Sequence, residues 1–203
     1  MKIEWPLPPS LAAGAVRLAA MIHAVMIVNN FGKARLLKFY RQTSEQKQQQ
    51  IVRELFATLT ARSEASSCFV DAAHWFEGVP SARIVYRQYA TLYFCMAIDN
   101  SESELGILDL VQVLVETLDR HFKNVCELDL IFNFIKVHYV VDEMIVGGLV
   151  VETNPASILE QLDAQLLVER QQSELGAAAI KAQQKLDQLG GALSDALGHH
   201  APR

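Results

Sequence analysis

The hydrophobic pattern changes period several times along the chain, and each change marks an element. Ile22 to Val28 is a continuous apolar run, as in a strand buried on both faces. Asn29, Asn30 and Gly32 cluster as a turn, and Arg35 to Tyr40 reads as the return strand of a hairpin. Thr43 and Gln46 have capping-box spacing. After them Ile51, Val52, Leu55, Phe56 and Leu59 fall on one face of a helix. Residues 63–82 carry Ser, Gly78 and Pro80, which predicts a loop with a short strand over Cys68 to Val70. Two strands follow, Arg83 to Arg87 and Ala90 to Ile98. In the second, Leu92, Phe94, Met96 and Ile98 alternate with Tyr93, Cys95 and Ala97.

The second half turns helical. Ser101 and Glu104 form a capping box that opens a helix running to about Phe122. Its apolar residues, from Leu105 through Val111 and Val115 to Phe122, cover more than one stripe. Burial beyond the sheet-facing side is therefore expected. Leu128 to Met144 is a second helical run, ended by Gly147 and Gly148. Asn154 and Pro155 read as the cap and first residue of a helix bearing Ile158, Leu159, Leu162 and Leu166.

The predicted order, ββαβββα and then more helices, is that of an α+β domain with one antiparallel sheet and helices packed on it. Residues 1–20, with Pro6, Pro8 and Pro9, read as an N-terminal extension. Residues 21–170 form the domain. From 171 to 203 the chain is rich in Ala, Gln and Gly. Leu186, Leu189, Leu193 and Leu197 have weak helical spacing there, but repeated glycine and few bulky residues favour a flexible tail.

Hydrophobic residues are 51% of the chain, enough for a sizeable core. The net charge of −5 gives no footprint for nucleic acid. Three cysteines, Cys68, Cys95 and Cys126, without a CxxC pair argue against a disulfide framework or a zinc site and for a reducing cytoplasmic compartment. Arg17 and His23 interrupt the apolar stretch 11–28, and Gly14 weakens it as a helix, so it reads as neither a membrane span nor a signal peptide. Lys33, Lys38, Arg83 and Arg87 are scattered charges, for which solvation is explanation enough.

Catalysis finds little footing. Cys68, Asp71 and His74 lie close in sequence, but a nucleophile and its base need alignment in space. His23, His121 and His138 lack metal-ligand spacing, and no glycine-rich phosphate loop is present. No enzyme activity, metal or cofactor is expected.

One stretch carries a specific signal. Residues 84–94 read Ile-Val-Tyr-Arg-Gln-Tyr-Ala-Thr-Leu-Tyr-Phe. They resemble the signature of the clathrin adaptor small chains: two aliphatics, Tyr, a basic residue, four variable positions, then Leu-Tyr-Phe. Ile84, Val85, Tyr86, Arg87, Leu92, Tyr93 and Phe94 fill every fixed position. The hairpin Met21 to Tyr40 and the blocks Ser101–Asp109, Gln112–Asp119 and Asn124–Leu130 are similar to the same family. The Ser-Glu-Ser-Glu-Leu and Val-Glu-Thr-Leu-Asp runs and Tyr89-Ala90-Thr91 look most like the sigma chains of adaptor complex 3. Resemblance covers roughly residues 21–165, with residues 1–20 unmatched.

The resemblance implies a longin-like fold with a five-stranded antiparallel sheet. It implies a place in a heterotetramer, against a delta-like large subunit and with beta and mu subunits. Such complexes associate peripherally with Golgi and endosomal vesicle membranes and select transmembrane cargo for lysosome-type organelles. Sigma chains, with their large partner, hold dileucine signals: an acidic residue, three of any kind, Leu, then Leu or Ile. Matched residue by residue, the apolar pocket falls on Ala90, Leu92, Val115, Asn124, Val125 and Leu130, and the cation for the acidic residue on Arg35. Without the family, Leu92, Val115 and Leu130 read as core, and Arg35 as a solvated strand charge. A longin-type subunit without a cargo pocket, such as a coatomer zeta-like chain, is the alternative.

Overall fold

The structure, a computed structural model, describes residues 22–63 and 66–175. The expectations for residues 1–20 and for the leucines of the tail lie outside the described residues. Five strands form one antiparallel sheet: β1 (Ile22–Asn29), β2 (Ala34–Phe39), β3 (Phe69–Asp71), β4 (Arg83–Tyr89) and β5 (Leu92–Ile98). Their spatial order is β2-β1-β5-β4-β3. The helices are α1 (Glu45–Thr60), α2 (Glu104–Phe122), α3 (Glu127–Phe132) and α4 (Phe134–Met144). A small ribbon of β6 (Ile145–Val146) and β7 (Leu149–Val150) follows, and residues 155–175 are helical. This is the expected α+β, longin-like architecture.

The apolar run of β1 has a simple cause. The strand lies between β2 and β5, and all eight of its residues are buried. On one side Ala24, Met26 and Val28 join Ile84, Cys95 and Ala97 beneath Ile51, Val52, Leu55 and Leu59 of α1. Trp75, Phe76 and Val79 close that core. On the other side α2 packs on β4 and β5, and α3 and α4 pack on β2. Each fully buried Ile, Leu, Val or Met contributes about 1.5–3 kcal/mol.

Several predicted details shift. α1 is capped by Ser44, whose hydroxyl accepts from the Lys47 N–H, while the Thr43 hydroxyl donates to the Arg41 carbonyl. Likewise Ser103, not Ser101, caps α2 by accepting from the Gly106 N–H. Ser101 is instead spent on the carboxylate of Asp99. In both cases the serine nearer the first helical turn wins the cap. β3 begins one residue later than predicted, and β5 begins at Leu92 because Ala90 and Thr91 make the turn. Ala90 takes a left-handed φ of 50° there, uncommon for a residue with a Cβ.

The predicted helix 128–144 is two helices. Asn133 breaks it, with φ −117° and ψ 33°. Its side-chain amide donates to the Asp129 carbonyl at 3.2 Å, the competition with backbone that makes Asn a poor interior residue. Gly147 and Gly148 do not end a helix. They form the β6–β7 turn with φ of 60° and 90°, the two positive φ values that a type I′ hairpin turn requires. The buried residues of α2 are Ile107, Leu110, Val111, Leu114, Thr117 and Leu118, a single stripe. Leu105 is exposed, and Leu108, Val113 and Val115 are half-buried. The broader burial expected from the sequence is absent from this chain by itself. The helix beginning at residue 155 runs through residue 175, past the expected start of the tail, with Asn154 Oδ1 accepting from the Ala156 N–H.

Candidate functional site

The signature residues lie on the β4–β5 hairpin, where Arg87 pairs in register with Phe94 and Tyr86 with Cys95. Ile84, Val85, Leu92 and Phe94 are buried. Arg87 Nη1 and the Tyr89 hydroxyl both donate to Oε1 of Gln112 on α2. The signature thus clamps the hairpin to α2 and builds the frame of the site rather than a binding surface.

The tip of that hairpin, the β1–β2 turn and the start of α3 meet at one side chain, Glu127. Its Oε1 accepts from Asn29 Nδ2 at 2.9 Å and from Arg35 Nε at 2.8 Å, and lies 2.6 Å from Arg35 Nη2. Its Oε2 accepts from the Thr91 hydroxyl at 3.5 Å. Asn29 is itself fixed, since its Oδ1 accepts from the N–H groups of Phe31 and Lys33. The bonds from Asn29 and Arg35 hold the Glu127 carboxyl below the usual glutamate range. The Arg35 and Glu127 side chains are 20% and 25% exposed, so the pair is reachable from solvent.

The approach to α3 is equally specific. Lys123 and Asn124 both adopt left-handed backbone, with φ of 55° and 74°. Together they reverse the chain after α2. The Val125 N–H then donates to Asp119 Oδ1 in the last turn of α2, at 3.1 Å. The Cys126 N–H donates to Asp129 Oδ2, which fixes the first turn of α3.

The candidate residues separate into groups. Arg35, Asn124 and Val125 gather near the start of α3, and Ala90 and Leu92 flank the Thr91 that reaches Glu127. Asn124 and Ala90 are exposed, and Arg35, Val115 and Val125 are half-buried. Val115 sits on α2 one turn before Asp119, outside the buried stripe. Leu92 is buried, and Leu130 is 0% exposed, so Leu130 belongs to the core in this conformation. Ala90 also borders a cleft of about 800 Å³ that it shares with Leu59, Cys68 and Tyr86. Sequence reasoning missed Asn29, Thr91 and Glu127. All three stood inside stretches already singled out, but nothing in the spacing says that they converge.

Of the residues considered for catalysis, His74 Nε2 lies 4.0 Å from Glu54, and Asp71 accepts from the Ala73 N–H. Neither bond links them to Cys68. Among the described residues no His, Cys, Asp and Glu group is placed to hold a metal ion. No helix there is long and apolar enough to cross a membrane.

Comparison with known proteins decides the family. Residues 21–169 match the model of the clathrin adaptor complex small chain. This chain belongs to that family. The small chain is 50% identical over 158 residues to the AP-3 complex subunit sigma of Dictyostelium discoideum, covering 76% of this chain and 91% of the relative. It is 49% identical over 162 residues to the human AP-3 complex subunit sigma-2, covering 80% and 83%. A chain in a homology model of the full-length AP-3 complex in a stretched open conformation superposes with a TM-score of 0.59 at 36% identity. That match covers 76% of the small chain and 98% of the other. The resemblance carried by residues 84–94 therefore holds for the domain as a whole.

Proposed function

We propose that this chain is the small subunit of an AP-3-type heterotetrameric adaptor complex. In this reading it stabilises a delta-like large subunit, alongside beta and mu subunits, and with the large subunit binds acidic dileucine signals in cytosolic tails of transmembrane cargo. The complex works peripherally on Golgi or endosomal membranes, in transport towards lysosome-type organelles. The similarity to AP-3 sigma chains over about four-fifths of the chain supports the assembly. The observation that carries the binding reading is the solvent-reachable Arg35 beside the reversal at Asn124 and Val125. In this reading Arg35 takes the signal's acid, and half-buried Val125 near it contributes to the seat of a leucine. Half-buried Val115 and Val125 offer leucine-sized apolar contact, buried Leu130 joins them only if α3 shifts, Asn124 can pair with peptide backbone, and Arg35 offers a charge-assisted bond.

A second reading is a structural subunit without a cargo pocket. It is favoured by the full burial of Leu130 and by Glu127 already holding Arg35. Titration of an acidic dileucine peptide into the purified pair of small chain and large subunit separates them. Saturable binding that is lost when the two leucines become alanines supports the first, and no binding at millimolar peptide supports the second.

A further inference from the structure

We propose that the cleft at the start of α1 binds a compact polyphosphate, a small ligand carrying two or more phosphate groups. The cleft encloses about 680 Å³ between the first turns of α1 and the segment Trp75–Glu77. This is within the size range of small-molecule sites and far more than one phosphate fills. It lies away from the Arg35–Glu127 pair and does not depend on the dileucine reading.

Its lining carries three cations, Arg41, Lys47 and Arg53, against one acid, Glu77. That concentration occurs in a chain of net charge −5. Arg35, Lys38, Arg83 and Arg120 each meet a carboxylate. Arg41, Lys47 and Arg53 meet none within 4.0 Å among the described residues. Their charge is therefore available to a ligand. Arg41 also reaches across the cleft, its Nη2 lying 3.7 Å from the position a Cβ would take at Gly78.

The backbone favours the same sign of charge. α1 is 16 residues long and starts in the cleft, where Ser44 caps the Lys47 N–H. The N–H groups of Glu45 and Gln46 have no partner among the described residues. Unpaired N–H groups and the helix dipole favour an anion at this end. Trp75, part of the lining, is 3% exposed, and its indole N–H has no acceptor.

The arrangement selects phosphate, and more than one. Guanidinium groups match phosphate oxygens in pairs. Lys47 and Arg53 are six residues apart on α1, about 9 Å along the axis at the helical rise. In a cleft far larger than one phosphate, that spread of charge suits several phosphates on a sugar-sized ring. Such groups occur on free inositol phosphates and on lipid headgroups.

The test uses the purified complex of the full chain with the large subunit that co-purifies with it. Inositol 1,4,5-trisphosphate and inorganic phosphate are titrated calorimetrically. Flotation measures binding to phosphatidylcholine vesicles holding either phosphatidylinositol 4,5-bisphosphate or phosphatidylserine at equal charge. The variant carries Arg41→Gln, Lys47→Gln and Arg53→Gln. It is expected to bind the trisphosphate at least tenfold more weakly with unchanged melting, and inorganic phosphate is expected to bind weakly to both forms. A parallel loss on bisphosphate vesicles assigns the lipid as source, and loss of the soluble ligand alone assigns the free form. Equal trisphosphate binding by both forms overturns the proposal. So does a matching loss on phosphatidylserine vesicles, or capture of an acidic peptide in place of the trisphosphate. Should the triple variant melt early, Lys47→Gln alone decides, with a several-fold loss expected.

Discussion

The guanidinium of Arg35, on β2, is held by the carboxylate of Glu127, the first residue of α3, with Nε at 2.8 Å and Nη2 at 2.6 Å. If Arg35 receives the acid of a sorting signal, Glu127 already occupies its place. Binding then exchanges one carboxylate for another. Glu127→Gln should tighten an acidic dileucine peptide by about two- to fivefold, the range of a part-exposed ion pair. It should leave the same peptide with its acid replaced by Ala unchanged. Arg35→Ser should weaken the acidic peptide by a similar factor, and added salt should shrink both effects. Equal changes for both peptides would place Arg35 in the fold alone.

His23 predicts a pH dependence of stability. It is buried in β1, with Nε2 3.3 Å from Asp99. Burial outweighs the nearby carboxylate and holds its pKa below 6.5, and Arg41 adds to the effect. The unfolded chain therefore takes up its proton first as pH falls. Stability is full above about pH 6.5 and declines below it, until the folded form also protonates. Half-buried His138 is lowered too, by burial and by Lys38, and contributes in the same direction. The melting temperature of the wild type should fall between pH 7 and pH 5.5. His23→Gln should flatten that slope, and an unchanged slope would assign it to other groups.

The sequence revealed the elements where periodicity was strong. The strands β1, β4 and β5 and the helices α1 and α2 stand within a few residues of their predicted places, because burial on one or both faces writes itself into spacing. The breaks were hidden. Asn133 splits a largely apolar helical run through its own side-chain bond, and Gly147–Gly148 read as a helix end when they make a hairpin turn. The candidate site was legible only through family resemblance. Asn29, Thr91 and Glu127 meet across separations of 36 and 98 residues, and no local pattern encodes that convergence.

Leu130 separates pocket from core. It is fully buried in α3, so Leu130→Ala should destabilise the domain by about 2–5 kcal/mol, the cost of lost transfer energy plus a cavity. Thermal melting measures it. A shift of less than about 1 kcal/mol would show a side chain that relaxes easily into a groove.

The α3–α4 junction presents Leu128, Ile131, Phe132, Phe134 and Ile135 to solvent, with Phe132 79% exposed. Contiguous apolar surface of this kind marks an interaction site. In an adaptor complex it should be covered by the large subunit, within an interface above about 2,000 Å². The lone chain should self-associate at micromolar concentration. Phe132→Ser with Phe134→Ser should reduce self-association in sedimentation and also weaken co-purification with the large subunit. A wild-type chain that sediments as a monomer and melts cooperatively would count against this.

Val115 gives the sharpest test of the binding site. It lies on α2 beside Leu114 and three residues before Leu118, both buried, yet it is only half-buried itself. A carboxylate placed there can turn towards water, so Val115→Asp should leave melting and assembly close to normal. If Val115 contacts a leucine of the signal, the same carboxylate faces an apolar ligand. The ligand then loses leucine transfer energy, and the carboxylate loses hydration. Peptide binding should weaken at least about tenfold, since 1.4 kcal/mol already gives that factor. Purified mutant complex is melted first and then titrated with the acidic dileucine peptide. Normal melting with lost binding supports the site, and normal melting with unchanged binding removes Val115 from it. Failure to assemble would mean that the complex buries this face of α2 beneath the large subunit, and that the leucines must seat elsewhere.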